Sequence, residues 1–212
     1  MSKEWKKKKV ALHHGYLNNK LYNDLTRAPH HKMFGEWLSQ KFKNYSDLPP
    51  TIFDVGCGNG HVTSYLLKFN KYVGIDINES VIDCAKKKKI DNTLFFLQDI
   101  EENIKKEVLQ EIKSCQICYI DSVFTMLEDP AYVLKEILIP NFDFIFLNRT
   151  GFNNQKTEKT KMLWGGMDHP STVWKFNIDF FQEVAKQTNS SFKAANTNGG
   201  IIIYEMRRAG VK

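Results

Sequence analysis

The stretch Asp54-Val55-Gly56-Cys57-Gly58-Asn59-Gly60-His61 gathers residue types that can hold a small ligand. Glycines at alternate positions let the backbone turn sharply and let another molecule approach it closely. Apolar, β-prone Ile52, Phe53 and Val55 lead into the turn behind Pro49 and Pro50. Val62, Tyr65, Leu66 and Phe69 follow at helical spacing. The turn therefore joins a strand to a helix, and free amides at a helix start favour an anionic or polar ligand group. Its spacing is G-x-G-x-G. His61 stands where the dinucleotide fingerprint G-x-G-x-x-G has its third glycine, which disfavours an NAD-binding oxidoreductase.

A second acid, Asp76, ends the run Tyr72-Val73-Gly74-Ile75, 22 residues (76 − 54) after Asp54. A carboxylate there can accept two hydrogen bonds from a ribose diol; otherwise it caps a helix or is solvated. Asp99 and Asp121 end two further apolar runs, Thr93 to Leu97 and Gln116 to Ile120. Besides His61 in the glycine turn, histidines lie in two places. His13, His14, His30 and His31 precede the first strand together with Tyr16 and Tyr22, and His169 follows Trp164-Gly165-Gly166-Met167-Asp168. An unperturbed imidazole titrates near neutrality and can take a proton from an alcohol; its plainer role is to brace a loop.

The elements needed to position these residues alternate. Strands are expected at 52–55, 72–77, 93–97, 116–120 and 144–147, separated by helices carrying Val81, Ile82 and Ala85, then Ile104, Val108, Leu109 and Ile112, then Val133, Leu134, Ile137 and Leu138. Asn78 and Asp129 are the expected caps, with Pro130 as first helical residue and Pro140-Asn141 as the turn after that helix. Residues 151–176 read as a long loop over the site, followed by a helix with Phe180, Phe181, Val184 and Ala185 and by two strands joined at Asn196 to Gly200. Ahead of the first strand, Leu17, Leu21 and Leu25 mark one helix and Met33, Phe34, Trp37 and Leu38 another, with Pro29 between them. The expected partition is an N-terminal helical lid segment, 1–48, and a ligand-binding domain, 49–212.

The 212 residues suit one domain with additions. Net charge is +6, much of it in Lys6 to Lys9 and Lys86 to Lys89. The second run ends a helix, where lysines complement the dipole, so nucleic acid is a disfavoured partner. No apolar run is long enough for a membrane span, and the start of the chain lacks a signal-peptide core, which points to the cytoplasm. Cys115-Gln116-Ile117-Cys118 has C-x-x-C spacing, but residues three apart on a strand face opposite ways and no second pair supplies zinc ligands. The four cysteines are expected to be buried free thiols, and no metal site is expected.

The set Asp54 to Gly60, Asp76, Asp99 and the Asp121 region resembles class I S-adenosylmethionine-dependent methyltransferases over residues 51–206. That resemblance implies an α/β fold: a doubly wound, seven-stranded, mostly parallel Rossmann-like sheet with an antiparallel C-terminal hairpin. It implies S-adenosylmethionine as cofactor and S-adenosylhomocysteine as product. Asp54, Gly56, Cys57, Gly58, Asp76, Ile77, Asp99, Ile100 and Asp121 would be the cofactor-binding residues, Asp99 accepting from the adenine amino group with Ile100 against the ring. Leu127-Glu128-Asp129-Pro130, Leu147-Asn148-Arg149 and the aromatic-His-Pro loop also resemble bacterial methyltransferases of surface-polysaccharide gene clusters. The acid-Pro-Pro-aromatic pattern of base-acting amino methyltransferases is absent after Asp121.

The expected function is methyl transfer to a small polar acceptor, at oxygen: a sugar, a nucleotide-linked compound, or a phosphate or phosphoramidate. His169 is the first candidate base, and His30 or His31 the second. Tyr16, Asn148, Arg149 and Trp164 are candidate acceptor contacts, with Arg149 suited to an anionic acceptor that needs no base. A nucleic-acid methyltransferase and a non-catalytic cofactor-binding partner subunit are the alternatives. The acceptor's identity and the oligomeric state are left open.

Overall fold

The computed structural model describes residues 29–42, 49–64, 69–151, 153–162, 171–196 and 202–210. Tyr16, His13, His14, Trp164, His169 and the expected first helix around Leu17 to Leu25 lie outside the described residues.

Helix α1, Pro29–Phe42, starts on the proline, which loses nothing at a first-turn position where its missing amide would be unpaired. Strands β1 (Thr51–Val55), β2 (Lys71–Asp76), β3 (Thr93–Leu97), β4 (Ile117–Asp121) and β5 (Phe144–Asn148) alternate with α2 (Glu79–Lys87), α3 (Lys106–Ser114) and the helical stretch α4, residues 130–141. After β5 come β6 (Glu158–Met162), β7 (Ser171–Lys175), α5 (Ile178–Gln187), β8 (Ser191–Asn196) and β9 (Ile202–Arg207). The main sheet has the order β3-β2-β1-β4-β5-β9-β8, parallel through β5, with β9 antiparallel to both β5 and β8. This is the seven-stranded, mostly parallel sheet expected.

Both faces of the sheet are covered, so its central strands read as continuous apolar runs rather than alternating ones. Phe53, Val55, Val73 and Ile75 pack on one face with Val108 and Ile112 of α3, Val133 and Leu134 of α4, and Phe181 and Val184 of α5. Ile52, Tyr72, Tyr119 and Phe146 pack on the other with Leu38 of α1 and Ile82 and Ala85 of α2. Trp37 of α1 meets Phe146 edge-on at 5.1 Å. The described part of the N-terminal segment is thus part of the core.

Local chemistry sets the helix ends. The Asn78 side chain accepts from the Ser80 amide at 3.0 Å, and Asp129 from the Tyr132 amide at 2.9 Å. Helix α4 differs from expectation: it runs through Pro140 instead of stopping there. Its middle, Val133–Leu138, is π-helical. The wider turn relieves the clash between a proline ring and the carbonyl four residues back. Asn141 also donates its side-chain amide to the Ile137 carbonyl at 2.7 Å.

The expected loop 151–176 contains a second, two-stranded antiparallel sheet of β6 and β7. Gly151 and Phe176 continue it, the Phe176 amide donating to the Gly151 carbonyl at 2.8 Å. Lysines at alternate positions of β6 hid the pattern, because their stems cover the sheet while their charges stay in water. Lys159 lies 4.8 Å from the Trp174 ring centroid. The cysteines differ as well. All are free, but Cys84 is exposed on α2, and Cys115 caps α3 instead of lying in β4.

Candidate functional site

Strand order reverses between β1 and β4, and in an open α/β sheet the crevice at the carboxyl ends beside such a reversal is where ligands bind. A cleft opens there. Val55, Gly56 and Ile75 form its inner end, Asp76 and Ile77 its middle, and Gln98, Asp99 and Ile100 one wall. Val123, Met126 and Leu127 form the facing wall.

Its inner end follows from the glycine turn. The Gly56 and Cys57 amides both donate to the Ile75 carbonyl, at 2.8 and 3.0 Å, folding the chain back over β2. Gly56 has φ +76°, and a Cβ placed on it would lie 2.2 Å from the Val123 side chain. Only glycine provides both that conformation and that room. Gly58, at φ +55°, donates its amide to Asp76 Oδ2 at 3.0 Å, and the Asn78 amide donates to Asp76 Oδ1 at 2.9 Å. Asp76 is 2% exposed, where a strand-terminal position suggested an open one. Its carboxylate holds the glycine turn while facing the cleft. Asp99 accepts from the Glu101 amide at 3.0 Å, and Ile100 beside it is buried.

Two residues of the turn face away from the cleft. The Cys57 side chain packs beneath it against the bare Cα of Gly74, where a Cβ would lie 2.7 Å from its sulfur. Cys57 therefore does not line the cleft, and burial pushes its thiol pKa up. Asp54 lies on the same underside, 2% exposed, accepting a hydrogen bond from the Tyr72 hydroxyl. Burial raises its pKa from 3.8 to about 8; the Tyr72 bond opposes that rise, and the charges of Asp121 and Asp76 add to it.

The sign of the resulting pH dependence follows directly. From about pH 4 to about pH 8 the folded chain keeps a proton on Asp54 that the unfolded chain has released. Stability falls as pH rises through that window, by up to about 1.4 kcal/mol per unit from this group, and levels off above it. The Asp54→Asn variant, neutral and of the same shape, is expected to lose this slope and to be relatively more stable at alkaline pH. Denaturant unfolding of both proteins at acidic, neutral and alkaline pH measures it, and parallel curves would place the titration elsewhere.

At the β4 and β5 ends, Asp121 and Arg149 form a two-pronged pair, Nε to Oδ1 at 2.6 Å and Nη2 to Oδ2 at 2.8 Å. Such pairing fixes the plane of the guanidinium. Ser122 (φ +63°) and Arg149 (φ +48°) adopt left-handed backbone, so both strands end abruptly. Asn148 is fully buried behind Arg149. Its Oδ1 accepts from the Arg149 amide at 3.0 Å, and its Nδ2 donates to the Tyr119 hydroxyl at 3.2 Å. The Ser122 and Thr150 hydroxyl oxygens are buried with no hydrogen-bond partner.

Of the residues singled out in the sequence, Gly56, Asp76, Ile77, Asp99 and Ile100 line the cleft. Gly58 supports it, and Asp121 and Arg149 lie at adjoining strand ends. His30 and His31 are in the first turn of α1. Gln98, Val123, Met126 and Leu127 line the cleft and were missed. The available signal was the apolar Val123 to Leu127 run following an acid at a strand end. Among the described residues no cluster of His, Cys, Asp and Glu could hold a metal, and no helix is long and apolar enough to cross a membrane.

Residues 53–138 match the model of a family described as "Methyltransferase domain". Over 180 residues, 81% of this chain, the sequence is 26% identical to a tabtoxin biosynthesis enzyme of Pseudomonas amygdali pv. tabaci, and the chain spans 66% of that relative's length. The fold is similar to that of the magnesium protoporphyrin IX methyltransferase of Synechocystis PCC 6803 with bound S-adenosylmethionine, at TM-score 0.60 and 16% identity, covering 90% of this chain and 85% of that one. It is also similar to the plantazolicin methyltransferase BpumL in complex with a triazolic desmethylPZN analog and S-adenosylhomocysteine, at TM-score 0.62 and 18% identity, covering 97% of each chain. At these identities the structural likeness is one of fold. With the reversal between β1 and β4 and the glycine turn, it gives the chain the class I, Rossmann-like methyltransferase fold, and residues 53–138 within it match the methyltransferase domain model.

Proposed function

We propose that the protein transfers the methyl group of S-adenosylmethionine to a small polar acceptor, at oxygen. The observation that carries this reading is the cleft running from the Gly56 turn past Asp76 to Asp99 and Ile100. Its residues suit the cofactor. Each Asp76 oxygen accepts one backbone amide and keeps a lone pair for a ribose hydroxyl. Asp99 can accept from an adenine amino group, with Ile100 and Leu127 as apolar walls for the ring. Gly56 lacks the Cβ that would fill the inner end, and the unpartnered Ser122 hydroxyl offers a buried hydrogen-bonding group beyond it.

The cofactor, when bound, supplies a methyl group on a positively charged sulfur, already activated for transfer. The chain's task is then alignment of the acceptor, together with removal of a proton where the acceptor is an alcohol. His169 is the proposed base, with His30 or His31 in reserve. The Asp121–Arg149 pair holds a guanidinium at the carboxyl ends of β4 and β5, suited to an acceptor that carries phosphate or phosphoramidate. In this reading Asn148 orients Arg149, while Tyr16 and Trp164 are further acceptor contacts. A tabtoxin biosynthesis enzyme among the relatives supports a small-molecule acceptor. The resemblance at Leu127 to Pro130 and Leu147 to Arg149 supports a sugar or nucleotide-linked intermediate of surface polysaccharide.

The test is methyl transfer from labelled S-adenosylmethionine to a panel of sugars, nucleotide sugars and phosphorylated acceptors. With a working acceptor in hand, His169→Ala is expected to keep cofactor affinity and lose roughly 10²–10⁴-fold in turnover. Unchanged turnover would move the base to His30 or His31, or show that the acceptor is already ionised.

A further inference from the structure

The wall Met126-Leu127 belongs to a short connection between β4 and α4, and two side chains from elsewhere in the chain hold it. Glu101 follows Asp99 and Ile100 on the opposite wall. Its Oε1 accepts from the backbone amides of Glu128 at 2.6 Å and Asp129 at 2.8 Å. From the other side, Trp174 of β7 donates its indole N–H to the Leu127 carbonyl at 2.9 Å. Three consecutive backbone units, 127 to 129, are therefore tied to two different elements. One tie reaches across the outer end of the cleft, where Asp99, Ile100 and Leu127 converge. The other ties this wall to the β6–β7 hairpin.

We propose that Glu101 and Trp174 are positioning residues that set the separation of the two cleft walls at the adenine end, without touching the cofactor. The inference rests on the cofactor reading above and deepens it. A carboxylate accepting two backbone amides forms charge-assisted bonds, stronger and geometrically stricter than neutral ones. The same two amides precede α4, so the carboxylate lies at a helix start, which favours its charge. Losing it frees the 127–129 segment to move away from Ile100. The ring of Trp174 stacks on Phe176 at 6.0 Å. Trp174→Phe keeps an aromatic ring there while removing the N–H together with part of the indole's packing surface.

Calorimetric titration with S-adenosylhomocysteine and with adenosine, on the full-length chain, tests this alongside thermal unfolding and amide hydrogen exchange. Glu101→Ala is expected to weaken both ligands by about tenfold, because the affected end is common to both. Exchange of the Glu128 and Asp129 amides should accelerate in the ligand-free variant. Glu101→Gln keeps an acceptor oxygen and should recover part of the affinity. Trp174→Phe should weaken both ligands by a smaller factor of about three, with the unfolding midpoint nearly unchanged. Wild-type affinity in both Glu101→Ala and Trp174→Phe would overturn the proposal, as would loss of S-adenosylhomocysteine binding with adenosine unaffected. Failure of the wild-type protein to bind S-adenosylhomocysteine would instead remove the cofactor reading itself.

Discussion

Replacing Asp76 with alanine is expected to abolish measurable cofactor binding and to loosen the glycine turn as well. The carboxylate accepts the Gly58 and Asn78 amides and is 2% exposed, so its removal leaves two buried donors without partners. Each hydrogen bond to a charged group contributes about 1.5–3 kcal/mol. Two lost ribose bonds therefore predict an affinity loss of roughly 10²–10⁴-fold, and the unpaired amides predict a fall in unfolding free energy of about 2–5 kcal/mol. Asp76→Asn separates the two effects. Its oxygen can still accept one amide, so the fold should recover more than the affinity does. Calorimetry with S-adenosylhomocysteine and chemical unfolding, run on both variants, measure the two quantities. Wild-type affinity in Asp76→Asn would take Asp76 out of the binding site and leave it a structural aspartate.

The second large effect is expected at Gly56. Alanine there must adopt φ +76° and place a Cβ 2.2 Å from the Val123 side chain. The left-handed backbone costs about 1–2 kcal/mol, and the overlap about 1–3 kcal/mol more. The chain can relieve the overlap only by moving Val123, which is itself part of the cleft wall. Gly56→Ala should therefore lower stability and cofactor affinity together. Adding Val123→Ala removes the 2.2 Å overlap with Cγ2 but leaves the Val123 Cβ at 3.0 Å and the backbone strain, so the double variant should regain most of the packing share alone. If the single variant bound the cofactor normally, the close approach of the turn to Val123 would have no bearing on the site.

These expectations differ from those available before the fold was known, and the difference is physical. An acid at a strand end signals a ligand contact through residue type and position. Whether that acid is also carrying backbone depends on where the turn at the end of the neighbouring strand places its amides. Gly58 and Asp76 are 18 residues apart, and only the pairing of β1 with β2 brings them to 3.0 Å. The same holds for Cys57 and Gly74. Each reads alone as a turn residue and a strand glycine, yet each is explained by the other's packing.

What the sequence determined by itself was the local and periodic part. The order of strands β1 to β5 and of helices α2 to α5, the glycine turn, the caps at Asn78 and Asp129, and the acids at strand ends are all expressed over a few neighbouring residues, where propensity, hydrogen-bonding side chains and spacing act directly. What only the tertiary structure decided was nonlocal. The strand order reverses between β1 and β4, converging separate strand ends on one cleft. Segment 123–127 becomes its second wall because the β4–α4 connection folds over the cleft and Glu101 and Trp174 hold it there. Arg149 is committed to Asp121 because β4 and β5 pair in a register that sets Asp121 against Asn148. Burial, with the charges of Asp121 and Asp76 brought near by the sheet, raises the Asp54 pKa well above that of an ordinary carboxylate. None of these has a short-range signature, because each arises from groups far apart in the chain that meet only after the sheet has assembled.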